Sequence, residues 1–385
     1  MLRTALSSVL PDRAAFDLLA KVLGRSVQYG TLAVIDPWDR QHAFGSGEPP
    51  FVTIRLADPG EAVRLLANPS LHVGEAYMDG RLTLEAGDLR DFLMIAVAAS
   101  EELARQAGAL SEIAAPLRRL RRANPIARAR ANVAHHYDLS EDLYRLFLDP
   151  DLQYSCGYFE TGDESLAVAQ ARKKRHIAAK LRLTPGTRVL DIGSGWGGLA
   201  LELAREYEAQ VDGLTLSQEQ IAVAQRRVAG ERLEDRVRFH LRDYRHETGV
   251  YDRIVSVGMF EHVGEPHYVE FFETVRERLA PGGVALIHAI GRRATPAESD
   301  PWIEKYIFPG GYCPSLSEVL AAVEKAGLWV TDVEILRLHY AETLKRWYER
   351  FQAAGRPPRS STTSAFAACG NTTWLRARRA SASAA

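Results

Sequence analysis

A strand–glycine loop–helix unit near the middle of this 385-residue chain limits its fold more than any other feature. Thr187 to Leu190 is a β-rich run that ends at Asp191. Gly193, Gly195, Gly197 and Gly198 follow, and Leu199 to Glu206 then reads as a helix. Glycines at this spacing let the chain turn sharply into a helix and let a ligand come close to the backbone. Gly193, Gly195 and Gly198 fit a dinucleotide fingerprint, with Asp212 roughly 20 residues downstream as its ribose acid. Asp191, an acid placed before the first glycine, argues for a different ligand.

Strands and helices alternate from about residue 132 to 350, the pattern of an α/β doubly wound parallel sheet. Gln210 to Leu216, Val237 to Leu241, Tyr251 to Val257 and Val284 to Ile290 read as strands. Tyr268 to Leu279 reads as a helix, and Pro281-Gly282-Gly283 as a turn. Residues 1 to about 115 mix helices (Asp12 to Leu23, Asp88 to Ala99) with strands (Thr31 to Asp36, Phe51 to Leu56). They carry no catalytic motif and read as a small α+β accessory domain. The expected division is an accessory domain over 1–115, a basic linker over 116–131, a catalytic domain over 132–352 and a tail over 353–385.

Composition excludes several classes. With 48 Lys+Arg against 49 Asp+Glu, the net charge of −1 argues against a dedicated nucleic-acid binder. Cys156, Cys313 and Cys369 are too scattered for a disulfide framework or a zinc cluster, which suits a reducing compartment. The apolar run Phe92 to Ala99 stops well short of the roughly 20 residues of a membrane span, and no secretory leader is evident. A cytoplasmic protein is expected. Arg118 to Arg130 holds six arginines and no acid. It reads as a solvated face or as a patch for anionic lipid headgroups. From Ala353 onward Ala, Ser, Thr and Arg dominate, five arginines meet no acid, and apolar periodicity stops, as in a disordered tail.

Longer motifs narrow the reading. The loop from Asp191 to Gly197 resembles motif I of class I S-adenosylmethionine-dependent methyltransferases. NVAHHYDLS (Asn132 to Ser140), LQYSCGYF (Leu152 to Phe159), VGMFEHVG (Val257 to Gly264) and DPWIEKYIFPGG (Asp300 to Gly311) occur in that order. Together they resemble the cyclopropane fatty acyl phospholipid synthase family, which includes the mycolic acid cyclopropane synthases. GEAYMDGRLTLE (Gly74 to Glu85) is similar to the accessory domain of its phospholipid-acting members. The resemblance implies a class I methyltransferase sheet. It implies methylene transfer from S-adenosylmethionine to the cis double bond of unsaturated phospholipid acyl chains, by a protein peripherally associated with the membrane surface. It leaves a homodimer open.

The chemistry explains the residue types. An alkene is a poor nucleophile, so it must be aligned with the sulfonium methyl while water is excluded. The resulting carbocation needs aromatic walls, for which Tyr137, Tyr158, Phe260 and Tyr340 are candidates. It also needs a weak, fixed base to take a proton before the ring closes. The resemblance implies bicarbonate in that role, held by Cys156, Glu261, His288, Tyr340 and the backbone of Ile290. It implies cofactor contacts at Tyr154, Ser155, Asp191, Gly193, Gly195, Gly197, Thr215, Gln220, Asp243 and Tyr244, with Asp243 meeting the adenine amino group. Taken singly, Cys156, His288 and Tyr340 read as packing residues and Asp243 as a solvated loop acid. Glu261, at the carboxyl end of a strand, sits where such sheets bind ligands. His135 and His136 lack further ligands at metal-site spacing, so no metal is expected. Methyl-branched, methylene or hydroxylated products differ only in the fate of one cation, and a non-catalytic remnant is the rival of another class.

The tail departs from the family. Related chains continue past a segment like WYERF with a helix and a last antiparallel strand, whereas here the resemblance stops near Gln352. Back-translating Ser361 to Ala382 and reading a neighbouring frame gives YDERFCRMWEYYLAASEASFR, which resembles the missing segment. A frameshift between about Gln352 and Ser361 is expected. The sheet would then lack its last strand, leaving an open edge, lower stability and weakened activity.

Overall fold

The computed structural model describes residues 11–107, 141–293, 296 and 299–354. The arginine run, the segment Asn132 to Ser140 with His135, His136 and Tyr137, and the tail after Ala354 lie outside the described residues. The chain divides into two compact units. One holds the described part of Met1–Ala114 together with Asp300–Ile307; the other holds the described parts of Ala115–Ser299 and Phe308–Ala354.

The first unit begins with helix α1 (Asp12–Ser26) and strands β1 (Thr31–Ile35), β2 (Gln41–Gly45) and β3 (Phe51–Leu56). Helices α2 (Glu61–Ala67) and α3 (Pro69–Met78), strand β4 (Leu82–Ala86) and helix α4 (Leu89–Ala107) follow. The strand order is β2-β1-β3-β4, parallel between β1 and β3 and antiparallel elsewhere. Buried Asp36 closes the β1–β2 hairpin by accepting the backbone N–H groups of Trp38 and Arg40, both at 2.9 Å. Burial pushes its carboxyl up, but these donors, with the Arg40 and His42 side chains, overcome that and hold it at about 2.

The second unit runs α5 (Glu141–Arg145), α6 (Leu166–Leu181), β5 (Arg188–Ile192), α7 (Gly198–Tyr207), β6 (Gln210–Thr215), α8 (Gln218–Glu231), β7 (Val237–Leu241), β8 (Tyr251–Val257), α9 (Tyr268–Arg278) and β9 (Leu279–His288). Helix α10 (Pro301–Tyr306) belongs to the first unit, and α11 (Leu316–Lys325) and α12 (Leu338–Ala353) complete the second. Ser165 caps α6, Ser217 caps α8, and Ser315 with Glu318 forms a capping box on α11. The five strands lie in the order β7-β6-β5-β8-β9, all parallel. Pleating sends Val189 of β5 into a core with α6, α7 and α8, and sends Leu190 and Ile192 into a second core with α9 and α11.

Two boundaries differ from the sequence reading. Pro281-Gly282-Gly283 is no separate turn: β9 starts at Leu279 and absorbs it as a register shift opposite Tyr251 and Arg253. An edge strand tolerates this, because a proline without an N–H need leave no ladder bond unmade there. Asp300–Ile307, read as part of the catalytic domain, packs with the first unit. Lys305 Nζ and Tyr306 O–H donate to Glu75 of α3, at 2.6 and 2.9 Å.

Strand β9 leaves one edge of the sheet unpaired among the described residues. Every residue of β9 is half-buried or exposed, whereas β5 buries four of its five. The apolar stretch 328–337 forms no strand, and Trp329 and Ile335 are 93% and 64% exposed. Trp329→Lys and Ile335→Lys should therefore each change unfolding free energy by no more than about 0.5 kcal/mol in denaturant titrations, while reducing aggregation. A loss above about 2 kcal/mol would mean that these side chains are covered.

Candidate active site

Strand β5 is flanked by β6 and β8 on its two edges and by a core on each face, so its carboxyl end is dry. Asp191 lies at that end, 2% exposed, in register with Gly213 of β6 and Val255 of β8. Its Oδ2 has no hydrogen-bond partner among the described residues. Burial pushes its carboxyl up to about 7, against the pull of the Lys173 ammonium. A buried carboxyl oxygen left unanswered where the strand order reverses stands where such sheets bind ligands.

The glycine loop is tied to β6, with the N–H groups of Gly193 and Ser194 both donating to Leu214 O at 2.9 and 2.8 Å. Gly195 (φ +54°) faces open space, since a Cβ built there would meet nothing within 4 Å. Gly197 (φ +84°) serves packing instead. A Cβ there would lie 2.7 Å from the Phe239 ring, so only glycine lets α7 start this close to β7.

In front of the loop a cleft encloses about 1160 Å³ of empty space, its open mouth included. Tyr154, Ser155, Asp191, Gly193, Gly195, Thr215, Gln220, Asp243 and Tyr244 line it. Gly197 does not. Gln153, Lys173, Trp196, Met259 and His262 also line it and were missed by the sequence reading. Asp243 is no solvated loop acid. It is 2% exposed and accepts both Nε and Nη2 of Arg245 at 2.8 Å. Burial pushes its carboxyl up, and Arg245 overcomes that to hold it below its ordinary value. Asp212, the acid of the dinucleotide alternative, faces His240 at 3.2 Å from within β6 and does not line the cleft. That alternative loses its ribose acid.

The segment Leu152–Ser155 forms one wall. Lys173 Nζ donates to Gln153 Oε1 and Ser155 Oγ, both at 2.7 Å, and Gln170 Nε2 donates to Ser155 O at 2.8 Å. The Tyr154 ring stacks on Trp347 of α12 with centroids 5.2 Å apart.

None of the residues read as holding an anion lines this cleft. Glu261 is in a tight turn, Phe260–His262, immediately beyond β8. Its Oε1 accepts the Ile290 N–H at 2.7 Å, and Oε2 is buried without a partner among the described residues. Burial pushes its carboxyl up to about 7, opposed by that N–H. His288 ends β9, where its carbonyl accepts the N–H of cleft-lining Gly258 at 2.9 Å. Its Nδ1 has no partner among the described residues, and burial with the Lys173 charge pushes the ring down to about 4, so it is neutral. Cys156 follows cleft-lining Ser155, and burial pushes its thiol up to about 12. Tyr340 stands edge-on to Trp347, centroids 6.5 Å apart. Thus Glu261 and Ile290 touch directly, while the other three approach through residues of the cleft wall.

Two aromatic candidates fall away. Phe260 is wholly buried among Tyr268, Phe271 and Phe272, with centroids 4.4 to 5.4 Å apart, and is core. Tyr158 stacks on His176 at 4.4 Å and does not line the cleft. No cluster of His, Cys, Asp or Glu among the described residues is arranged for a metal ion.

Residues 125–368 match the model of the Mycolic acid cyclopropane synthetase family. The chain belongs to this family. The match runs past Gln352, where the resemblance read from the motifs stopped. Residues 21–108 match a domain of unknown function. The cyclopropane-fatty-acyl-phospholipid synthase of Escherichia coli strain K12 is 41% identical over 301 residues, 78% of this chain and 77% of that one. Tuberculostearic acid methyltransferase UfaA1 of Mycobacterium tuberculosis is 35% identical over 323 residues, 80% of this chain and 75% of that one. The crystal structure of mycolic acid cyclopropane synthase CmaA1 complexed with SAH and CTAB superposes with a TM-score of 0.58 at 35% identity, covering 64% of this chain and 94% of that one. Family membership makes the chain an S-adenosylmethionine-dependent enzyme on the class I methyltransferase fold.

Glu261 gives a signed prediction. An acid whose folded pKa is raised favours folding below its ordinary value of 4.5 and loses that contribution as pH rises through about 7. Glu261→Gln keeps an acceptor for Ile290 without the buried charge. The variant should melt no higher than the parent at pH 5 and above it at pH 8.5, by roughly 1–3 kcal/mol. A difference independent of pH would contradict a buried carboxyl titrating near neutrality.

Proposed function

We propose that this chain transfers a methylene group to the cis double bond of an unsaturated phospholipid acyl chain, closing a cyclopropane ring. The observation that carries the reading is the buried, half-partnered Glu261 carboxyl in the turn between Met259 and His262, which line a cleft that also holds the buried Asp191 carboxyl. S-adenosylmethionine, when bound, supplies an electrophilic methyl. Asp191 is assigned to its amino-acid end, with Gly193 and Gly195 letting it approach, and Asp243 to its adenine.

Cys156, Glu261, His288, Tyr340 and the Ile290 N–H are assigned to hold bicarbonate, which when bound supplies a weak base for the added methyl. The donor set supports this. The thiol and imidazole are neutral, and a carboxyl titrating near 7 can stand protonated and donate. Glu261 Oε2 and His288 Nδ1 have hydrogen-bonding capacity to spare, while Ile290 would share the N–H it now gives to Glu261. Such a set receives an anion without offering a strong nucleophile to a carbocation. The acyl chain would be met at a membrane surface by a cytoplasmic, peripherally bound protein. No helix among the described residues is long and apolar enough to cross a membrane.

The likeness to tuberculostearic acid methyltransferase supports a second reading, a methyl-branched or methylene product. We also propose a frameshift between about Gln352 and Ser361. The unpaired edge of β9 and the exposed stretch around Trp329 support it. Resequencing should reveal the shift, and an intact frame across related strains would refute it.

Incubation with unsaturated phospholipid vesicles and S-adenosylmethionine should add one methylene to the acyl chain, with ring-diagnostic fragmentation. A methyl-branched or methylene product favours the second reading, and no transfer by folded protein overturns both. Glu261→Gln should lower turnover at least about 100-fold while sparing cofactor affinity; undiminished activity would overturn the assignment of Glu261.

A further inference from the structure

We propose that Lys173 is a positioning residue of the cofactor cleft, fixing the Gln153–Ser155 wall by hydrogen bonds and placing a buried ammonium in the cleft lining. The proposal rests on S-adenosylmethionine binding in that cleft.

Lys173 occupies a core position. Leu166, Ala169, Gln170, Lys173, Ile177 and Leu181 share the buried face of α6 at helical spacing. A buried lysine is costly unless its charge is answered. Yet among the described residues no carboxylate lies within ion-pair distance of Lys173. The acids Asp151 and Glu202 pair instead with its neighbour Lys174, at 2.7 and 3.0 Å. The Lys173 ammonium spends two hydrogen bonds on neutral oxygens, Gln153 Oε1 and Ser155 Oγ, and all three residues line the cleft. Gln170, one turn earlier, holds the carbonyls of the same two residues. One helix face therefore fixes both the backbone and the side chains of the wall.

The same ammonium acts across the cleft. It faces Asp149, Asp151 and Cys156 on the segment before and within the wall, Lys174 on its own helix, Asp191 on β5 and His288 on β9. Burial lowers it to about 8, with Asp149, Asp151 and Cys156 drawing it back up. It is thus largely charged at neutral pH and opposes the burial that would keep Asp191 protonated. A core lysine given to neutral oxygens adds little to packing. Its position makes sense as a fixed charge that opposes burial at Asp191 and adds to burial in keeping His288 neutral.

The test is binding of S-adenosylhomocysteine by calorimetry from pH 5.5 to 9, for the parent, Lys173→Arg, Lys173→Met and Lys173→Gln. Parent affinity should rise with pH to a midpoint near 7. Without the ammonium, Met and Gln variants should shift that midpoint upward by about one unit, and Arg should keep it. The kcat/KM for S-adenosylmethionine should fall about tenfold in the Met and Gln variants, with the KM for lipid unchanged. Lys173→Gln keeps hydrogen-bonding capacity, so it serves if Lys173→Met does not fold. An unmoved midpoint in either folded variant overturns the role of Lys173 alone, because a purely structural role lowers melting temperature without moving a titration. Failure of the parent to bind at any pH overturns the reading of the cleft itself.

Discussion

The buried carboxyl of Asp191 is the constraint on which the catalytic unit depends. A carboxylate in the middle of a parallel sheet loses its hydration and must be answered by donors. Here the neighbouring strands offer only Gly213 and Val255 opposite it, and one of its oxygens has no partner among the described residues. Burial raises its pKa, and a single lysine across the cleft opposes that rise. The glycine loop follows from the same placement. Its N–H groups are anchored on Leu214, and Gly195 leaves open space in front of the acid. Sheet, loop and cleft thus form one arrangement around a group left for a ligand to complete.

A second economy governs the residues read as holding an anion. Chemistry that passes through a carbocation needs polar groups that order the site without attacking the cation. Cys156 and His288 are held neutral by burial, and Glu261 titrates near 7 with one oxygen fixed by Ile290. Dryness therefore sets the charge state of each group, and the ends of β8 and β9 set the places of Glu261 and His288.

Periodicity made most of the sheet legible. Strands β3, β7 and β8 fall at the residues read from sequence, because alternating apolar runs fix both face and register. Side-chain contacts between distant segments left no such mark. Helix α10 joins the first unit through Lys305 and Tyr306 meeting Glu75, more than 200 residues away. Phe260 was legible as an aromatic beside the site, but its direction was decided by Tyr268, Phe271 and Phe272. Lys173 hides in the basic stretch Arg172 to Arg175, which reads as a solvated face. The signal that could have found it is its helical spacing from Leu166, Ala169 and Ile177, which puts a lysine inside. Gly197 was read with the ligand-facing glycines, but its crowding against Phe239 appears only once β7 is in place.

The account turns on what completes Asp191. A crystal structure of the chain with S-adenosylhomocysteine tests this most directly. The account predicts the amino-acid end of the ligand within hydrogen-bond distance of Asp191 and beside Gly195, with adenine next to Asp243. A ligand bound elsewhere, or one that leaves Asp191 untouched, would contradict it.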